Sequence, residues 1–266
     1  KKKAIKALGL IGERRAVPDL IPSLQETSFR EAAATALGQI GDPRAVEYIL
    51  ATMTATDKRY RNAAVLALRR IGAPAIPALV RELRSPEVLM RRAAAAALVG
   101  SDTPRVTTAL ASTVRDRIED AEVRASAALA LGWKDNLAGV APLVDALSAS
   151  DWRVVDAAVE ALGDIGVNAI GRLQNVLRDP AQDLTVRYQV ARALAAMGRP
   201  AVDELLAALA RPAPEVQKWS AIALGQIGLA QPRVIEALEE LERTGRGDLK
   251  WVAGEQLRRL RRISAL

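Results

Sequence analysis

The sequence predicts an all-α, right-handed superhelix of stacked two-helix units, and three observations carry that prediction. The first is a phrase that returns along the whole chain, Leu37-Gly38-Gln39-Ile40-Gly41, with intact copies at 8–12, 162–166 and 224–228. Degraded copies begin at Leu68, Leu98, Leu131, Leu194 and Leu257, so the anchor leucines (8, 37, 68, 98, 131, 162, 194, 224 and 257) stand 29 to 33 residues apart. The second is composition: 50% of the residues are apolar but only 3% aromatic, which leaves Ala, Leu, Val and Ile to build a core of small, closely packed helices. The third is punctuation: a glycine commonly closes an apolar run and a proline commonly opens the next, as at Gly41 and Pro43. A period near 31 held over the whole chain marks a repeat array, in which each unit buries its apolar face on its neighbours. About eight and a half units fit in the 266 residues, read as one solenoid over 1–266.

Each unit reads as helix A followed by helix B. Helix B carries small or apolar residues at helical spacing before its anchor, as in Phe29, Ala32, Ala33, Ala36, Leu37 and Ile40. Gly41 then falls where a left-handed C′ residue belongs. Asp42 is placed to cap the next helix, and Pro43 suits its first position, where a missing N–H costs nothing. The chain opens inside a B helix near 4–11, so residues 1–12 read as a partial first repeat and the chain as a fragment or a trimmed one. A helices follow near 16–25, 44–53, 74–84, 104–115, 139–149, 168–178, 200–210 and 231–243. B helices alternate with them near 28–40, 58–71, 86–99, 120–133, 151–165, 183–197, 214–227 and 248–263. The last one departs from the pattern: Arg258, Arg259, Arg261 and Arg262 follow the anchor, so residues 246–266 read as a polar C-terminal cap.

Two periodic details accompany the helices. Gly38, Gly132, Gly163 and Gly225 stand one residue past the anchor, inside a helix, where glycine costs about 1 kcal/mol relative to alanine. A close crossing by the neighbouring backbone would explain them. An acid also precedes a base by four residues in Glu26/Arg30, Asp57/Arg61, Glu87/Arg91, Asp120/Arg124 and Asp183/Arg187. The acids favour the helix start, the pairs have i,i+4 spacing, and the arginines are expected to bond their own and adjacent turns rather than to form a binding ladder.

Composition removes whole classes of chemistry. With no cysteine there is no disulfide, thiolate or sulfur-ligated zinc, and with no histidine the commonest general base and transition-metal ligand are gone. No apolar run approaches the roughly 18 residues of a membrane span, and no signal peptide is visible, so a cytoplasmic location is expected. The net charge of +7 is concentrated at the two ends of the chain. Residues 1–15 carry +5 and residues 246–262 carry +4, which leaves −2 for the middle.

The repeats resemble the HEAT superfamily, in particular the short phycobilisome-lyase-type HEAT-like repeat, through Asp120-Ala-Glu-Val-Arg124 and Ala32-Ala-Ala-Thr-Ala-Leu-Gly-Gln-Ile-Gly-Asp42. The resemblance spans nearly the whole chain and implies that B helices line a concave surface. Positions −6, −2 and +2 from each anchor should then share the exposed ridge of B. There Asp156, Glu160 and Asp164 form an acidic stripe, with Trp133 on one side and Tyr188 and Arg192 on the other. Like charges at i,i+4 do not favour a helix, so stability alone would not select the stripe. Aromatic anchors beside charge suit a protein-binding hot spot. Trp152 and Trp219 read as packing residues.

The expectation is therefore a non-enzymatic scaffold or adaptor that binds a protein or peptide partner, of basic character, on the concave face. It has no catalytic residues, metal site or cofactor, and its contacts are Trp133, Asp156, Glu160, Asp164, Tyr188 and Arg192. Two alternatives stand beside it. One is a nucleic-acid-binding HEAT-like protein, favoured by the sequence pI of about 10.0 and opposed by the acidic ridge. The other is a bilin lyase or chaperone-type subunit, which the resemblance implies but no bilin-site residue marks.

Overall fold

Alanine-rich B helices and proline-opened A helices alternate throughout a computed structural model that describes residues 1–53 and 58–264. Asp57, the acid expected to pair with Arg61, lies outside the described residues. The chain divides into two compact units, Lys1–Leu131 and Gly132–Leu266.

In the first unit the B helices are α1 (Lys2–Ile11), α3 (Arg30–Ile40), α5 (Lys58–Ile71), α7 (Val88–Ala97) and α9 (Ala121–Leu131). Between them run the A elements α2 (Val17–Leu20), α4 (Val46–Thr52), α6 (Ile76–Glu82) and α8 (Pro104–Arg115). The second unit repeats the alternation. Its A helices are α10 (Val140–Ala146), α12 (Ile170–Arg178), α14 (Val202–Leu209) and α16 (Pro232–Thr244), and its B helices are α11 (Trp152–Ile165), α13 (Leu184–Ala196), α15 (Pro214–Ile227) and α17 (Asp248–Ser264). Among the described residues there is no strand, and no single helix is long and apolar enough to cross a membrane.

The core of each unit is the anchor leucine with its small neighbours. Leu37, Leu68, Leu131, Leu162, Leu194 and Leu224 are all at most 1% exposed, flanked by buried alanines. Successive B helices pack on one another within each unit, and the glycine after the anchor sets how closely. A Cβ at Gly38 would stand 2.5 Å from the Cα of Ala67, and one at Gly132 would stand 2.6 Å from the Cα of Ala161. The expected close crossing is therefore present, backbone against backbone.

Apart from α8 and α16, the A helices are shorter than their apolar pattern predicts. Most begin with a 3-10 turn, as at Pro43–Ala45, Ala73–Ala75, Leu137–Gly139, Val167–Ala169 and Arg199–Ala201. Asp42 caps as expected, but it caps this turn: its carboxylate accepts from the Arg44 N–H at 2.9 Å. The predicted helix over 16–25 is broken into Arg14–Ala16, α2 and Ile21–Leu24. Pro22 has no N–H to bond the carbonyl of Pro18, so the α-ladder stops there.

The periodic arginines Arg30, Arg91, Arg124 and Arg187 are structural, and they find partners other than the acids four residues earlier. Arg91 donates to Glu119 of the next repeat (2.7 and 2.8 Å) and to the carbonyls of Ser85 and Pro86. Arg187 donates to Glu215 and to the carbonyl of Asp179, and Arg124 to the carbonyl of Val114. The freed acids cap their own helices: Asp120 accepts from the Glu122 N–H and Asp183 from the Thr185 N–H. Charge and geometry agree here, since a carboxylate completes the bare amides at a helix start while the long guanidinium reaches the preceding loop.

Candidate partner-binding ridge

The ridge is built by α11 and α13. Asp151 opens α11 by accepting from the Arg153 N–H at 2.9 Å, and Asp183 opens α13 by accepting from the Thr185 N–H at 2.7 Å. That backbone bond holds the Asp183 carboxyl below the usual carboxylate range. Val154, Val155, Ala158, Val159, Leu162 and Ile165 turn into the core. The helical period then leaves Asp156, Glu160 and Asp164 on the opposite side, with Glu160 and Asp164 exposed and Asp156 half-buried.

The structure joins two of the six predicted residues directly. Arg192 donates to Asp156 at 3.0 Å and to the side chain of Gln189 at 2.8 Å. Tyr188, 45% exposed, lies one turn before Arg192 on the same side of α13. Glu160 and Asp164 form no ion pair among the described residues, so no cation of the chain answers that part of the stripe. Trp133 is half-buried in the turn after α9. It is held at the C-terminal end of α11, because Gly132 abuts Ala161 and the Asp135 N–H donates to the carbonyl of Ile165 at 3.0 Å. It makes no bond to the acids; it shares the end of the helix that carries Asp164.

Between the starts of α11 and α13 opens a cleft of about 430 Å³, lined by Trp152, Asp156, Asp183, Gln189 and Arg192 among others. Trp152 corrects the sequence reading. It is no packing residue but 70% exposed, one turn before Asp156, and Leu184 is 67% exposed one turn before Tyr188. Carrying the ridge one turn further back, to position −10 from each anchor, would have found both. Trp219 does pack: it is 7% exposed, and its indole N–H donates to Glu215 at 3.3 Å.

The arrangement suits recognition. The three acids are strung along one helix, and among the described residues no three His, Asp or Glu side chains converge as a metal-holding group. What the surface offers is Trp152 at the start of α11, Leu184 and Tyr188 on α13, a fixed guanidinium and two uncompensated carboxylates.

Alternating A and B helices, with successive B helices packed on one another within each unit, define an αα-hairpin repeat protein. The chain belongs to the HEAT repeats: the family model matches residues 1–69, 116–185 and 170–258. That match does not distinguish the phycobilisome-lyase-type subclass. No curated protein matches the sequence. Similar solved structures include an engineered protein at 21% identity, over 98% of this chain and 84% of that one, with a TM-score of 0.41. Human deoxyhypusine hydroxylase in complex with glycerol is similar at 22% identity over 98% and 97%, with a TM-score of 0.38. The karyopherin Kap121p bound to the extreme C-terminus of the protein phosphatase Cdc14p is similar at 14% identity over 93% and 34%, with a TM-score of 0.48.

Proposed function

We propose that this HEAT-repeat chain is a non-enzymatic scaffold that docks a basic segment of a protein partner along the α11–α13 ridge. The observation that carries the reading is the pairing of exposed anchors with unneutralised acid. Trp152, Leu184 and Tyr188 offer apolar area at a low cost in ordering, while Glu160 and Asp164 offer charge with no internal counter-ion. Asp156 is partly answered by Arg192, which fixes that side chain before a partner arrives. A lysine or arginine of the partner would meet Glu160 and Asp164, with Trp133 beside their end of α11.

The test is a pull-down with two baits, wild type and Trp133→Ala/Asp156→Lys/Glu160→Lys, each with and without nuclease. A protein retained only by wild type, whatever the nuclease treatment, is the expected result. Equal recovery by both baits would remove this ridge from the binding surface. Recovery that nuclease abolishes would transfer the function to nucleic acid.

A further inference from the structure

The first unit carries a second groove of different chemistry. It lies between α6, the turn over 83–86 and the start of α8, and encloses about 990 Å³. Arg84 lines it from the α6 side and Arg105 from the α8 side, with the hydroxyl residues Ser85, Thr108 and Ser112 between and beside them. Arg81 also lines it but is already answered, by Glu47 and Glu82, each at 3.0 Å. Arg84 and Arg105 form no ion pair among the described residues.

Neither local stability nor chance solvation accounts well for Arg105. It is the second residue of α8, where the open amides of the helix start repel a cation, and no acid stands in that turn. The groove wall is also fixed in advance. Arg91, held by Glu119, donates to the carbonyls of Ser85 at 2.8 Å and Pro86 at 3.0 Å, so the turn beneath Arg84 is tied down from below. A wall held before binding loses little freedom on binding.

We propose that this groove binds a short acidic peptide segment of a protein partner. One carboxylate would pair with Arg84 and another with Arg105, while the hydroxyls meet peptide polar groups and Val80, Pro86, Pro104 and Ala109 supply the apolar walls. Peptide is favoured over nucleic acid on two counts. No aromatic side chain lines the groove, so bases have nothing to stack on. Two separated cations also match two carboxylates better than a continuous phosphate track. The inference concerns a different unit from the ridge and does not depend on it.

The experiment is fluorescence anisotropy on the whole chain, with three labelled probes: a Glu-rich peptide, a Lys-rich peptide of equal length and a single-stranded DNA oligonucleotide. The variants are Arg84→Glu/Arg105→Glu and, as a control for the basic N-terminus, Lys2→Glu/Lys3→Glu. The Glu-rich peptide should bind wild type and the lysine control alike and lose about tenfold or more in affinity on the groove variant. An unchanged affinity on the groove variant, or a loss confined to the lysine control, overturns the proposal. So does oligonucleotide binding tighter than peptide binding and abolished by the same variant. If thermal melting shows that charge reversal unfolds the unit, Arg84→Gln/Arg105→Gln takes its place under the same criteria.

Discussion

The two units share one helical grammar and differ in where their charge is left unanswered. Residues 1–131 hold 21 Lys and Arg against 14 Asp and Glu, a net of +7, whereas residues 132–266 hold 17 of each. Among the groups without an ion pair, the first unit gathers two guanidiniums, Arg84 and Arg105, in one groove on A-side elements, and the second sets two carboxylates, Glu160 and Asp164, one turn apart on a B helix. Inside, the units match: glycine against alanine, anchor leucines buried, and arginines such as Arg91, Arg124 and Arg187 tying a repeat to the preceding loop. The repeat constrains what is buried because neighbouring helices must fit it. It leaves the exposed positions free to diverge, so recognition differs between units that fold alike.

The strongest way to break the shared interior is to fill the close crossing. Gly38→Ala in the first unit and Gly132→Ala in the second should each cost about 2–3 kcal/mol, because the added carbon meets neighbouring backbone that has little room to yield. Gly171→Ala in α12, whose Cβ would meet nothing within 4 Å, should instead stabilise by up to about 1 kcal/mol. Denaturant unfolding of the three variants checks both signs, and a neutral Gly38→Ala would contradict the backbone contact.

Next in size is the contrast between a sheltered and an open ion pair. Arg91 and Glu119 have side chains only 17% and 10% exposed, against 34% and 47% for Arg192 and Asp156. Arg91→Ala should cost about 2 kcal/mol, since it strands Glu119 and two carbonyls, whereas Arg192→Ala should cost under about 1 kcal/mol. Urea midpoints measured on both variants decide it; equal losses would mean that shelter does not matter here.

The opposed surfaces predict crossed specificity. Glu160→Lys/Asp164→Lys should weaken a Lys-rich peptide by about tenfold and leave a Glu-rich peptide unaffected, the mirror of the groove variant. Anisotropy titrations of both peptides on both variants test this, and a change in the same direction for both probes would show only a net-charge effect.

The smallest effect is a pH dependence centred on Asp42 of the first unit. Asp42 is 5% exposed beneath Arg44, whose guanidinium and N–H bonds hold its carboxyl down at about 2. A depressed carboxyl stabilises above its ordinary pKa, so this contribution should be whole above pH 4 and fade as the pH falls towards 2. Asp42→Asn should flatten the acid side of the stability curve by about 1 kcal/mol, read from melting temperatures across that range.

Most of the fold was legible in the sequence because its signals are local. Apolar spacing placed all the B helices, and the capping roles of Gly41 and Asp42 followed from backbone preferences. The 3-10 turns at the A-helix starts were missed because apolar spacing cannot separate a tight first turn from an α one. The partners of Arg91 and Arg187 were missed because each spans 28 residues to the next repeat. On the ridge, Asp156 and Arg192 meet as their register implied, but Trp152 was misplaced because a tryptophan beside a loop carries no local sign of its exposure. The groove of Arg84 and Arg105 escaped because its walls are 21 positions apart and belong to A-side elements, where no periodic face directs attention.

The line of glycine against alanine has a mechanical meaning within each unit. Along it, two helices are separated by little more than their own main chains, with no side chain to compress or rearrange. Elsewhere the layers rest on leucine, valine and arginine, which have rotamers to exchange. Bending of either unit should therefore pivot about the glycine line, as a book opens about its spine, with the A-side edges travelling furthest. The ridge of α11 and α13, whose crossing sets Gly163 against Ala196, would keep its dimensions with each flexing.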